Sequence, residues 1–388
     1  MTVCDVVVIG LGAMGSAAAL QLARRGAKVV GIDRFSPPHE HGSSHGETRI
    51  TREAIGEGEE YVPLAMRAHE IWREIEAATG EELLVRCGGL VLAAAGAVHP
   101  AKAAFMDRTI AAAERFAIPH EVLAPDDVRR RFPQFILHVD EQAYFEPGAG
   151  FVYPERCIAA QLRLAGQAGA TLRTGETVTS IAPSGSGVRV ETDRDVYEAA
   201  RAVLSAGAWS PGLAGTPLAH MTLHRQVLNW FESEDPTVYA PGRFPVFIWL
   251  HRGRDAHSYG FPIPPGSEGL KIATENFERR LDAPEEIDRD VTEEEIEQVH
   301  AGYVADRFRG VTSRCLRAKT CFYTLAPDSR FAIDDHPENG RLLVVSACSG
   351  HGFKHSAAIG EAVAERVLDG RSRLDLSRFA LPKRDRAA

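Results

Sequence analysis

The chain has 388 residues, 44% hydrophobic and 25% charged, the balance of an ordinary soluble globular protein of one or two domains. A formal charge of −9 argues against nonspecific affinity for nucleic acid or anionic membrane, and no apolar run reaches transmembrane length. The six cysteines contain no C-x-x-C pair and fit no zinc spacing, so by themselves they read as free thiols and no metal site is expected. The start of the chain leaves no room for a signal peptide before the first strand, and Asp385-Arg386-Ala387-Ala388 carries no peroxisomal address, so a cytoplasmic location is expected.

The first elements are the most informative. Val6–Ile9 is a β-branched run suited to a buried parallel strand, and Gly10, Gly12 and Gly15 follow as G-x-G-x-x-G. Small apolar residues from Ala17 to Leu22 continue into a helix that Gly26 ends, and Val29–Ile32 forms a second strand with Asp33 at its end. This is the order and spacing of a dinucleotide-binding unit. Gly10 permits the tight turn, Gly12 lets backbone approach a pyrophosphate, Gly15 lets helix pack on strand, and Asp33 can accept from a ribose. The motif does not choose between NAD and FAD.

After the break at Ser36-Pro37-Pro38 comes HGSSHGETRITR at 41–52. On a helical turn Arg49 and Arg52 would share a face, either as a solvated basic patch or as two cations aimed into an anionic site. Tyr61–Ala78 reads as an amphipathic helix, Leu84–Ala93 as a strand with a Gly88-Gly89 kink, Ala101–Phe116 and Asp126–Phe132 as helices, and Cys157–Ala168 as another. Short strands are expected at 171–173, 178–182, 188–192 and 202–205, the last leading into Ala206-Gly207, where small residues let the chain pass close to a dinucleotide. Strands follow at 224–231, 244–250 and 269–273, where Lys271 lies between apolar neighbours and reads as a lysine reaching solvent. Val291–Phe308 is helical, Lys319–Tyr323 a short strand, and Leu342–Ala347 a buried strand delivering Ser349–Lys354 to the last helix, Ser356–Leu368. Nucleotide-domain signals occur at both ends and in the middle, which implies a discontinuous arrangement.

Several stretches then converge. HGSSHGETRITR at 41–52, GEGEEYVPLAMRA at 56–68, YGFP at 259–262, GLK at 269–271, KTCFYT at 319–324 and SGHGFK at 349–354 resemble the monomeric sarcosine oxidase and N-methyltryptophan oxidase family of flavin-dependent amine oxidases, over essentially the whole chain. The resemblance implies an α/β (α+β) fold: a Rossmann-like FAD-binding domain with a parallel sheet (1–86, 149–218 and 321–388) and a substrate domain with a mixed or antiparallel sheet (87–148 and 219–320). It implies FAD attached covalently, as an 8α-S-cysteinyl link through Cys321 and not through Cys315. Besides the glycine motif and Asp33, the FAD contacts it implies are Ser43, His45, Thr48, Arg49, Val178, Gly207, Gly350, Gly352 and Lys354. Arg49 and His45 would lie beside the flavin and supply positive potential, and Lys271 would activate oxygen. Arg52 and Lys354 would clamp a substrate carboxylate, and Tyr259 and Tyr323 would line the substrate cavity. The reaction implied is oxidation of an N-methyl or other secondary amino acid to an imine, with O2 reduced to H2O2, by a monomer that binds neither nucleic acid nor membrane. A cyclic imino acid oxidase, a flavin-bearing subunit with little activity of its own and an NAD-dependent dehydrogenase are the rival readings.

The chain departs from the family pattern in its pocket. Glu275 stands where the sarcosine oxidases carry histidine, Ile55 where they carry tyrosine, Glu53 where they carry histidine and His355 where they carry phenylalanine, and residues 247–254 diverge. The carboxylate of Glu275 could receive a cationic substrate group or pair with an arginine.

Overall fold

The computed structural model describes residues 1–94, 104–252, 256–275 and 277–381. Residues 101–103 of the expected helix 101–116, Asp255 beside the divergent stretch with Arg254 within it, and the C-terminal tetrapeptide lie outside the described residues.

An eight-stranded sheet holds the glycine motif. Its centre is parallel: Thr2–Ile9 pairs with Val29–Asp33 on one side and Val196–Leu204 on the other, and Asn339–Ser346 joins the far side of Val196–Leu204. Thr171–Thr174 extends the Val29–Asp33 edge in parallel. The antiparallel hairpin Val178–Ser184 and Gly187–Thr192 pairs with the first half of Val196–Leu204. Both faces of the central strands are apolar, so Val6–Ile9 is buried throughout, as a parallel strand covered on both sides must be. Helices Ala13–Arg24, Pro154–Gln167 and Ser356–Asp369 cover one face. At Gly360 a side-chain carbon would sit 2.4 Å from the Ala17 methyl, which is how the first and last helices pack so closely. Gly26 and Gly370, at φ +84° and +76°, take the left-handed conformation that ends these two helices.

A nine-stranded mixed sheet forms the second layer system. The strand Thr222–Ser233 pairs with Val311–Leu325 along almost its whole length and with Leu270–Thr274 on the other side. Leu270–Thr274, Ser258–Gly260 and Val246–Leu250 continue the sheet antiparallel, and Val246–Leu250 runs parallel to Gly89–Ala94. Phe135, Phe244, Phe247, Trp249 and Phe308 pack together over it, and their ring burial supplies the core of this half. A three-stranded sheet of Arg49–Thr51, Gly150–Val152 and Leu84–Arg86 links the halves.

Three expectations need correction. The strand around Cys321 runs from Val311 to Leu325, so the expected domain break before 321 falls inside a continuous strand of the second sheet. The helix at 291–308 is only Glu293–Val299, followed by a π turn over His300–Val304; the chain then leaves helical geometry at Ala305, and Asp306 takes φ +58°. Arg49 begins a strand, not a helical turn, so Arg49 and Arg52 point in different directions. No helix among the described residues is long and apolar enough to cross a membrane.

Candidate active site

One cavity of about 850 Å³ runs between the two large sheets. Gly10, Gly12 and Asp33 line one end, Ser43, Arg49, Val178, Gly207 and Cys321 line its length, and Tyr259, Glu275, Tyr323, Gly350, Gly352 and Lys354 line the other. Gly15, His45, Thr48, Arg52 and Lys271, also expected at the site, stand behind this wall.

The glycine end is built for a diphosphate. Gly10 has φ +84°, and a side-chain carbon there would meet Ala206 Cα at 2.6 Å. A side-chain carbon on Gly15 would lie 1.7 Å from the Gly10 carbonyl oxygen, so this turn tolerates no methyl. Gly12, by contrast, faces open space, with Ser44 Oγ nearest at 3.9 Å. Helix Ala13–Arg24 starts there with no side-chain cap and no acid in its first turn, which leaves its N–H groups and positive dipole end directed at the cavity. Asp33 accepts from Leu11 N at 2.7 Å and Phe35 N at 2.8 Å, which fixes its carboxylate at the cavity wall with lone pairs to spare for a ribose hydroxyl. These features fit FAD.

The loop carrying Ser43–Arg49 is held from both halves of the molecule. Glu155 accepts from Gly46 N (2.6 Å) and Glu47 N (3.1 Å). From the other side Lys271 Nζ donates to the carbonyls of Gly46 (2.6 Å) and Thr48 (2.8 Å), with Thr48 Oγ1 at 3.2 Å. Glu47 takes hydrogen bonds from Trp230 and Ser267 and pairs with Arg317. Lys271 is therefore not a lysine reaching solvent. It is buried under Phe261, 4.3 Å from the ring centroid, and burial, with Arg49 adding to it, pushes its ammonium well below the ordinary lysine range. His45 is buried with both ring nitrogens unpartnered among the described residues. Burial first, then Arg49 and Lys271, drive its pKa down to about 3, so it is neutral and does not supply the positive potential expected of it. Arg49 itself donates to the carbonyls of Thr48 and Ser43.

Cys321 is buried on the cavity wall, whereas Cys315 faces away and donates to the Arg317 carbonyl. Burial raises the Cys321 thiol, and Arg49 and Lys271 oppose that by favouring the thiolate. Cys348, which the sequence marks only as another small hydrophobe, also lines the cavity and accepts from Thr324 N at 3.4 Å.

At the opposite end, Arg52 and Lys354 converge on one carboxylate, that of Glu57. Arg52 Nη2 lies 2.5 Å from one oxygen and Lys354 Nζ 3.7 Å from the other. Burial works to raise the Glu57 carboxyl, but Arg52 and Lys354 outweigh it and hold it well below the usual range. Burial pushes Lys354 down to about 8, with Glu57 opposing. Arg52 is fixed through its neighbours: Glu146 accepts from Glu53 N (2.7 Å), Ala54 N (3.2 Å) and Tyr144 Oη (2.9 Å), and His69 bridges Thr51 and Glu53. Glu57 lies inside the GEGEEYVPLAMRA stretch, but its role needed the fold, and nothing near Glu146 or His69 in sequence hints at theirs. Tyr259 and Tyr323 meet hydroxyl to hydroxyl at 3.3 Å, and burial raises both phenols, so neither is a base. Among the described residues Glu275 pairs with His257 at 3.5 Å and with no arginine.

Residues 5–366 match the FAD dependent oxidoreductase (DAO) family. The chain is 39% identical to monomeric sarcosine oxidase of Streptomyces avermitilis, covering 94% of each, and 33% identical to N-methyl-L-tryptophan oxidase of Yersinia pestis, covering 98% and 99%. It belongs to the sarcosine oxidase and N-methyltryptophan oxidase family. Among solved structures it superposes on NikD, an amino acid oxidase essential for nikkomycin biosynthesis, with a TM-score of 0.85 at 26% identity over 98% of each chain. This family member is an FAD-dependent amine oxidase.

Proposed function

We propose that this amine oxidase acts on N-methyl or other secondary amino acids. The observation that carries the reading is Glu57 held by Arg52 and Lys354: two buried cations already arranged around one carboxylate. A substrate carboxylate would join Glu57 on this pair, whose two cations exceed the charge of Glu57 by one, and this orients the adjoining C–N bond along the cavity. Bound FAD would take a hydride equivalent from the carbon next to nitrogen and pass the electrons to O2, giving H2O2. The chain's own groups bind and shape rather than shuttle protons. The phenols of Tyr259 and Tyr323 exclude water and stay protonated, and the amine enters neutral, so no strong protein base is needed. Lys271, with Arg49 beside it, would place positive charge where O2 gains its electrons. Cys321 would tether the cofactor covalently. The imine product hydrolyses in water, with formaldehyde released when the oxidised carbon was an N-methyl. The Streptomyces relative is monomeric by name, which supports a monomer.

The test is a peroxide-coupled screen of the holoenzyme against sarcosine, N-methylated amino acids, pipecolate, proline and basic amino acids, with formaldehyde measured in parallel. Peroxide with equimolar formaldehyde is expected from an N-methyl substrate. Peroxide without formaldehyde moves the oxidised carbon into a ring or chain. No oxygen consumption with any secondary amino acid overturns the proposal and leaves a flavin-bearing subunit.

A further inference from the structure

The hairpin that carries Lys271 presents an ordered face to the cavity. Tyr259 pairs with Ala273 across it, Phe261 N donates to the Lys271 carbonyl at 3.2 Å, and Glu275 N donates to the His257 carbonyl at 3.4 Å. Residues two apart on a strand share a face, so this face has three rungs: Lys271 with Phe261, Ala273 with Tyr259, Glu275 with His257. Ring spacings follow the same line, 6.1 Å from Phe261 to Tyr259 and 6.4 Å from Tyr259 to His257. Glu275 thus stands about 13 Å of strand beyond Lys271, too far along to serve the atoms that react near that lysine. It meets the outer part of whatever fills the cavity.

Its surroundings fix what that part can be. Glu275 lines the cavity beside Tyr323 and Gly350, where a side-chain carbon on Gly350 would come within 3.0 Å of Oε1. The only ion pair it makes among the described residues is with His257, an imidazole that is charged only when protonated. Arg52, Lys354 and Glu57 together carry one net positive charge, which suits one substrate carboxylate. Glu275 adds one negative charge at the same end of the cavity, near enough to favour the charged form of Lys354. An apolar substrate chain would strip water from that carboxylate and give nothing back, whereas a cationic chain end would complete it.

We propose that Glu275, braced by His257, receives a second cationic group on the substrate, so that the preferred substrate is a secondary amino acid whose side chain ends in an ammonium or guanidinium. This rests on the secondary amino acid oxidase reading above.

Binding and turnover test it separately. On the holoenzyme, calorimetry compares 6-aminohexanoate with hexanoate, carboxylates of one length that differ in a terminal ammonium and carry no secondary amine. The expected result is binding about tenfold tighter for 6-aminohexanoate, and loss of that ratio in the isosteric Glu275→Gln variant. Equal binding of the two by the wild-type protein, or an unchanged ratio in the variant, overturns the proposal. Oxygen uptake then compares Nα-methyllysine with N-methylnorleucine, with kcat/KM expected to favour the cationic member by about the same factor. Oxidation of both at equal efficiency also overturns the cationic subsite while leaving the oxidase reading standing. A preserved binding preference with no oxygen uptake from either amine overturns the oxidase reading and leaves the subsite.

Discussion

Lys354 offers the sharpest check on the carboxylate clamp, because its charge is poised to change in an accessible range. It is buried, and burial outweighs the help of Glu57 to bring it down to about 8 from the ordinary 10.5. A carboxylate held by Arg52 and Lys354 should therefore bind well below pH 8 and more weakly above it, as Lys354 loses its proton. The full loss is that of one hydrogen bond to a charged group, about 1.5–3 kcal/mol, or roughly ten- to hundredfold in Kd. The assay is titration of the holoenzyme with hexanoate from pH 6.5 to 9.5, a ligand with no amine of its own to confuse the profile. Lys354→Met should bind hexanoate more weakly at pH 7 and show no fall through pH 8. The stability linkage has the opposite slope. A lysine whose folded pKa is depressed costs stability while both states hold the proton, and the cost disappears as pH rises from about 8 towards 10.5. Unfolding midpoints of the wild type should gain on those of Lys354→Met over that interval. A flat hexanoate profile in the wild type, or the same profile in Lys354→Met, would refute the assignment of Lys354 to the clamp.

Four further outcomes are expected. Cys321→Ala should release its flavin on acid precipitation, while Cys348→Ser, on the same cavity, should retain it; the reverse pattern would move the tether. Lys271→Met should slow reaction with O2 far more than reduction by amine, and stopped-flow absorbance of each half-reaction separates this from a loosened 46–48 loop, which would slow both alike. Gly15→Ala puts a methyl 1.7 Å from the Gly10 carbonyl oxygen, so thermal unfolding should show a loss of about 3 kcal/mol with weaker FAD retention; an unchanged midpoint would mean the turn can open. Glu146→Gln leaves one of the two backbone N–H groups after Arg52 without an acceptor, and hexanoate affinity should fall about tenfold along with stability; a stability loss alone would make Glu146 structural only.

The cofactor end was legible in sequence because its physics is local. Gly10, Gly12, Gly15 and Asp33 act through turn geometry, helix packing and a strand end within one βαβ unit, so order and spacing carry the meaning. Cys321 and Lys354 were reachable only through the family resemblance, since a lone cysteine or lysine in a strand or turn has no signature of its own. What stayed hidden was whatever depended on burial or on a partner far along the chain. Nothing in the sequence distinguishes a solvent-seeking Lys271 from one closed under Phe261. The neutral state of His45 follows from its depth and from Arg49 and Lys271, not from its neighbours in sequence. Arg49 and Arg52 would share a face only on a helical turn, and the short strand Arg49–Thr51 separates them instead.

That separation lets one short segment direct its two arginines to different places. Arg49 lines the cavity along its length, while Arg52 turns back to meet Glu57 and reaches the far end with Lys354. The segment between them pairs with Gly150–Val152, and the residues just before it, 46–48, are held by Lys271 and by Ser267 on Glu47 from one side and by Glu155 from the other. Beyond Arg52, Glu146 from the second sheet takes over the same task. A shift of either sheet against the other would move Arg49 and Arg52 together. The distance between the two is therefore set by directional hydrogen bonds to main chain, those of Lys271 and Glu146.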